Sequence, residues 1–224
     1  MALNTIVLVI YLLATFVVAG WGYKVTSSSD DYWVAGRSLG VLVSTGTFFA
    51  TLVSSWSVLG ATGYFYNMGW AGYWQFGGTI LTSVFASVWF GSKLRSTGYV
   101  TLSDVLAARY YSKGIRLLTG LLVVFASIIF LTVQAMGAGV ILNQVTGLPT
   151  NIGVIIGVAI FMFFTVTGGM HSVAWTDFLQ AVIIVGGVTA AVIIGLIEVG
   201  GFGAMHATIA EISPEWLDPF GNGK

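Results

Sequence analysis

The stretch VAWTDFLQAVIIVGGVTAAVIIGLI, residues 173–197, decides the class of fold. Its 25 residues carry one ionisable side chain, Asp177, and no base. A helix needs about 20 apolar residues to cross the hydrocarbon core of a bilayer, at about 1.5 Å per residue. A helix also closes its backbone hydrogen bonds within itself, as a segment in lipid must. Five more stretches read in the same way, at 3–23, 41–65, 71–92, 117–143 and 151–169. The first lacks a basic leader and exceeds the roughly 7–15 residue apolar core of a secretory signal, so it reads as a retained span.

Composition agrees. Of 224 residues, 57% are hydrophobic and 7% charged. A soluble domain carries roughly 25% charged residues to wet its surface. Mean hydropathy is +0.94. The expectation is an all-α polytopic protein of the lipid bilayer, built as a single membrane domain over 1–224. Formal net charge is zero, so nothing marks a nucleic-acid partner. Cysteine is absent and the two histidines, His171 and His206, stand far apart, which excludes thiolate chemistry and a histidine metal cluster. No paired carboxylates or nucleophile–base pair fall in the spans, so an enzyme is not expected.

The connectors set orientation. Lys24 and Arg37 fall in the first, and Lys93, Arg95, Arg109, Lys113 and Arg116 in the third. These hold seven of the eight basic residues, and basic connectors stay in the cytoplasm. The N-terminus and the acidic tail 198–224 are therefore expected outside, in a multi-pass protein of the plasma (cell inner) membrane. Within the third connector, the run from Thr101 to Tyr110 reads as a short interfacial helix capped by Thr101 or Ser103. His171, in the tight connector 168–172, is expected to be exposed.

Polar residues inside the spans are the candidates for function. The second span carries Ser44, Thr45, Thr47, Thr51, Ser54, Ser55, Ser57 and Thr62, with Gly46 and Gly60. Membrane hydroxyls often bond back to their own helix. A cluster this dense also fits a helix that unwinds in mid-membrane, as secondary transporters use to bind ions and solute. Asp177 must be paired, protonated or cation-bound if it lies in hydrocarbon, or wetted if it lies near the interface. Gln180 follows one turn on, on the same face. Gln75 and Gln134 are candidate solute contacts or interhelical hydrogen bonds.

Four motifs then resemble the sodium:solute symporter family, whose members carry proline, pantothenate, sugars or sialic acid. They are DYWVAGRSLG at 31–40, ATLVSSWSVLG at 50–60 with Gly63 and Gly69, TLSD at 101–104 with Arg109 and Tyr110, and GGMHSVAWTDFLQ at 168–180. The resemblance implies a leucine-transporter-like fold: one extra N-terminal helix, then two inverted repeats of five helices. The six spans would be the extra helix plus the first repeat. The second repeat would then lie on the same or a separate chain, making this one a fragment or half of a split carrier.

By the same resemblance, the carbonyls of Ala50 and Val53 would bind the coupling sodium ion, with Ser54 beside them. Trp56 and Ser57 would face the solute. Asp177 would match an acid implicated in coupling, as a second cation site or a proton acceptor. Some members place an aspartate where this chain has Leu52. The implied activity is sodium-coupled symport of a small organic solute by alternating access around the broken second span. A membrane sensor or assembly subunit built on a transporter-like half is the other reading.

Overall fold

The computed structural model describes residues 2–221, apart from the side chains of Ala2 and Trp56; the last three residues expected in the tail lie outside this range. Among the described residues every regular element is helical. The helices are α1 (Ala2–Val25), α2 (Ser29–Val34), α3 (Val41–Leu52), α4 (Ala61–Met68), α5 (Tyr73–Ser96), α6 (Leu102–Tyr110), α7 (Lys113–Thr146), α8 (Thr150–Glu198) and α9 (Phe202–Ile212).

Among the described residues, three helical stretches are long and apolar enough to cross a membrane alone: Leu3–Val25, Lys113–Thr146 and Thr150–Glu198. The pair Val41–Leu52 and Ser57–Ser96 qualifies as one interrupted span. The 49 residues of α8 are too many for one crossing, since about 20 suffice. They are interrupted at Gly169, whose φ of 55° and ψ of −154° are non-helical and reached easily only without a Cβ.

The distribution of side chains is inverted relative to a water-soluble protein. Fully buried positions hold small or hydroxylated residues: Thr15, Ala19, Ala35, Ser172 and Ala174 are at most 1% exposed. Large apolar side chains such as Val88, Leu117, Ile155 and Ile197 point outward. Lipid tails are as apolar as leucine, so burying leucine between helices gains little there. Small residues that let backbones approach, and hydroxyls that bond across helices, do the joining instead. This pattern defines a multi-pass membrane protein.

The chain forms two compact units, Met1–Val58 with Ile129–Val188, and Leu59–Ile128 with Thr189–Lys224. In the first, α1 lies along α8. The Ser172 hydroxyl donates to the Ala19 carbonyl at 3.1 Å, and Thr26 donates to Gly168 at 3.1 Å. Trp21 meets Trp175 edge-on at 5.6 Å, and Phe16 meets Phe164 at 4.9 Å. Helix α3 joins the second half of α8 through Thr47, which donates to the Ala174 carbonyl at 3.2 Å. The end of α7 packs on the first half of α8 where Gly153 rests on the Gly139 backbone.

In the second unit, Thr101 caps α6 by accepting from Asp104 N–H, so of the two candidate caps Thr101 is the one used. Arg116 pairs with Asp104 at 2.8 Å. The tail is folded as α9 and a short turn, Pro214–Leu217, against the Gly69–Gly72 turn. His206 stacks on Trp70 at 5.8 Å, and the Trp74 indole donates to the Pro219 carbonyl at 2.6 Å.

Candidate functional site

Helix α3 stops at Leu52. Val53 has φ −90° and ψ 89°, outside the helical region, and helical geometry resumes with a π-type turn over Trp56–Gly60. In an unbroken helix, Ser54 N–H would bond the Ala50 carbonyl and Ser55 N–H the Thr51 carbonyl. Both donors turn elsewhere. Ser54 N–H donates to Ser57 Oγ at 2.7 Å, and that hydroxyl donates back to the Ser54 carbonyl at 3.0 Å. Ser55 N–H donates to Gln134 Oε1 of α7 at 3.1 Å.

The hydroxyls of the second span thus divide by role. Thr47 and Thr51 bond back to the carbonyls of Val43 and Thr47, the ordinary behaviour of membrane threonines. Ser54, Ser55 and Ser57 belong to the break itself. Gln134 joins it from α7, while its Nε2 is buried without a hydrogen-bond partner. Gly137, one turn further along α7, lies against Ser55 so closely that any Cβ there would strike the serine side chain. Ala50, Val53, Ser54 and Ser57 are all half-buried at this point, with Trp56 contributing its backbone to the resumed helix. The Trp56 side chain, expected to face solute, lies outside the described parts. Gln75 is exposed at the start of α5 in the second unit.

Asp177 belongs to another group, in the second half of α8. It is half-buried, and Tyr11 of α1 and Gln180 belong to its electrostatic neighbourhood. Among the described residues, no lysine, arginine or histidine forms an ion pair with Asp177. Thr15, 1% exposed, donates to the Tyr11 carbonyl at 2.5 Å. Sequence reasoning missed Tyr11 and Thr15. Their one signal is a pair of hydroxyls four residues apart, on one face of the otherwise apolar stretch 6–22.

The Gly169 interruption is held by α2. Tyr32 lies against Gly169, and its hydroxyl donates to the Thr165 carbonyl at 3.3 Å. Asp31 closes a capping box on α2: its Oδ2 accepts from the Ser28 hydroxyl at 2.8 Å and the Ser27 hydroxyl at 3.0 Å, and from both backbone amides. These bonds, the Ser28 hydroxyl foremost, hold its carboxyl below the usual carboxylate range. His171 corrects the expectation of exposure: it is 8% exposed, with Nε2 3.9 Å from Asp31 Oδ1. The motif that reads as a connector is continuous helix on either side of Gly169, and Asp31 of α2 lies beside the buried histidine.

A broken membrane helix, with side chains taking over its displaced amides, is a feature that secondary transporters use to hold ions or solute inside the bilayer. Residues 32–223 match the sodium:solute symporter family, and the chain belongs to that family. It is 27% identical over 207 residues to a high-affinity proline transporter of Bacillus subtilis (strain 168), covering 89% of this chain and 44% of that protein. It is 26% identical over 223 residues to a sodium/proline symporter of Staphylococcus aureus (strain JH9), covering 96% of this chain and 43% of that protein. The chain therefore spans less than half the length of these relatives. No solved structure gives a significant match.

Proposed function

We propose that this chain supplies the first half of a sodium-coupled symporter for a small organic solute, working by alternating access around the break in α3. The single observation that carries the reading is the break at Val53 and Ser54, where the amides that would occupy the Ala50 and Thr51 carbonyls are turned to Ser57 and Gln134. Hard cations take oxygen ligands, and unwound backbone inside a membrane helix is where secondary transporters offer them. The carbonyls of Ala50 and Val53, with Ser54, form one sodium site. Asp177 acts as a second cation site or a proton acceptor. Solute is bound in the first unit by Trp56, Ser57 and Gln134, the last through its unpaired Nε2.

The architecture proposed is leucine-transporter-like, with α1 as the extra helix and the first five-helix repeat following it. The spans are those expected from sequence, with the N-terminus and the tail outside the cell. A second repeat, on this or another chain, completes the cation site. The driving force is the sodium gradient plus the membrane potential, about 2.3 kcal/mol per charge per 100 mV. The relatives are named for proline, so proline is the first solute to try.

The test is uptake of labelled proline and a panel of small amino and carboxylic acids by vesicles carrying the whole reading frame. Inward sodium gradients should drive accumulation of one of them, and potassium gradients should not. Accumulation indifferent to sodium across the panel would defeat the proposal.

A further inference from the structure

We infer that Gln134 is a positioning residue for the cation site: its Oε1 pins the break itself through Ser55 N–H. The inference rests on the symport reading above and adds to it a part played by the other end of the same carboxamide. Three observations carry it. Ser55 N–H has lost its helical acceptor and finds Gln134 Oε1 at 3.1 Å, the only acceptor recorded for it among the described residues. The orientation of the amide follows from chemistry, because a donor cannot face a donor; Oε1 must turn to Ser55 N–H even though this leaves Nε2 buried and unpaired. And α7 comes close enough to serve, because Gly137 leaves the space that Ser55 fills.

The physical consequence is local. Ser54 and Ser57 close a small ring of hydrogen bonds within the break, which fixes its shape but does not tie it to anything. The Gln134 bond runs to a different helix, 79 residues away in sequence. It therefore sets where the break sits relative to α7, and with it the direction of the Ala50 and Val53 carbonyls. An interaction of this kind tunes cation affinity without touching the cation.

The two ends of the carboxamide are separable by mutation. Gln134→Met keeps length and removes the acceptor; Gln134→Glu keeps an acceptor oxygen facing Ser55 N–H. In the whole carrier, Gln134→Met should raise the half-saturating sodium concentration by about threefold to tenfold, the worth of one ordinary hydrogen bond. Gln134→Glu should bring it back to within about twofold of the parent, on the same reasoning. Gly137→Ala, which pushes Ser55 off α7 while leaving Gln134 intact, should shift sodium activation in the same direction as Gln134→Met. Hydrogen exchange over residues 53–57, measured without sodium or solute, should quicken in Gln134→Met and Gly137→Ala and not in Gln134→Glu.

That exchange readout does not depend on symport. Faster exchange with sodium-indifferent transport in the parent would sink the symport reading and leave the clamp standing. Unchanged exchange in Gln134→Met, or sodium activation shifted as far by Gln134→Glu as by Gln134→Met, would overturn the positioning role.

Discussion

Under the proposed mechanism, Asp177 is the residue with most at stake. A carboxylate within a membrane helix is costly, so it stays only where something is gained by it. The groups recorded in its electrostatic neighbourhood, Tyr11 and Gln180, are neutral. Neutral dipoles orient a carboxyl but do not neutralise it, which leaves room for a cation or a proton. Asp177→Asn keeps size and hydrogen bonding and removes the charge. It is expected to change the sodium dependence of uptake, with weaker apparent affinity or fewer ions per solute, while the protein still inserts and folds. Asp177→Glu is expected to keep part of the coupling. Sodium titrations of uptake at matched expression decide the matter: superimposable curves for Asp177→Asn and the parent remove Asp177 from the mechanism.

At the scale of elements, two interruptions matter more than any continuous helix. One is in α3, where displaced amides find side-chain acceptors. The other is in α8, where Gly169 adopts a conformation nearly closed to other residues and Tyr32 packs against the spot a Cβ would occupy. Gly169→Ala combines both penalties. Backbone held in such a region costs about 1–3 kcal/mol, and the Cβ would sit 2.7 Å from the Tyr32 ring. The expected result is a thermal transition lowered by several degrees in detergent. Loosening of Thr26 and Tyr32 from α8 should appear as faster exchange over residues 26–34. A parent-like melting curve would show that the bend tolerates a side chain.

For the molecule as a whole, the inside-out pattern of burial and the uneven placement of basic residues are independent signs of membrane residence and of orientation. The proposed topology keeps connectors 24–40 and 93–116 in the cytoplasm. Because the chain has no cysteine, single introduced thiols report cleanly. Ser28→Cys and Ser112→Cys should both be shielded from a membrane-impermeant thiol reagent added outside intact cells and should label once the membrane is opened. Ready labelling of both from outside would invert the topology.

The sequence by itself determined the class of protein, because long apolar runs with 7% charged residues admit only lipid as solvent, and that is a property of composition. It also pointed to Asp177 and to the second span as exceptional, since a charge or a dense run of hydroxyls in such a context is visible without coordinates. Only the tertiary structure decided who answers the break. Gln134 is 79 residues from Ser55, and nothing in the local pattern of either says that a glutamine on α7 accepts from an amide on another helix. The same holds for Tyr11 beside Asp177, and for His171, whose burial comes from helices that its own segment does not contain. Hydrophobic periodicity records the solvent around each helix; the partner of a particular polar atom depends on which helices meet, and that is settled by packing.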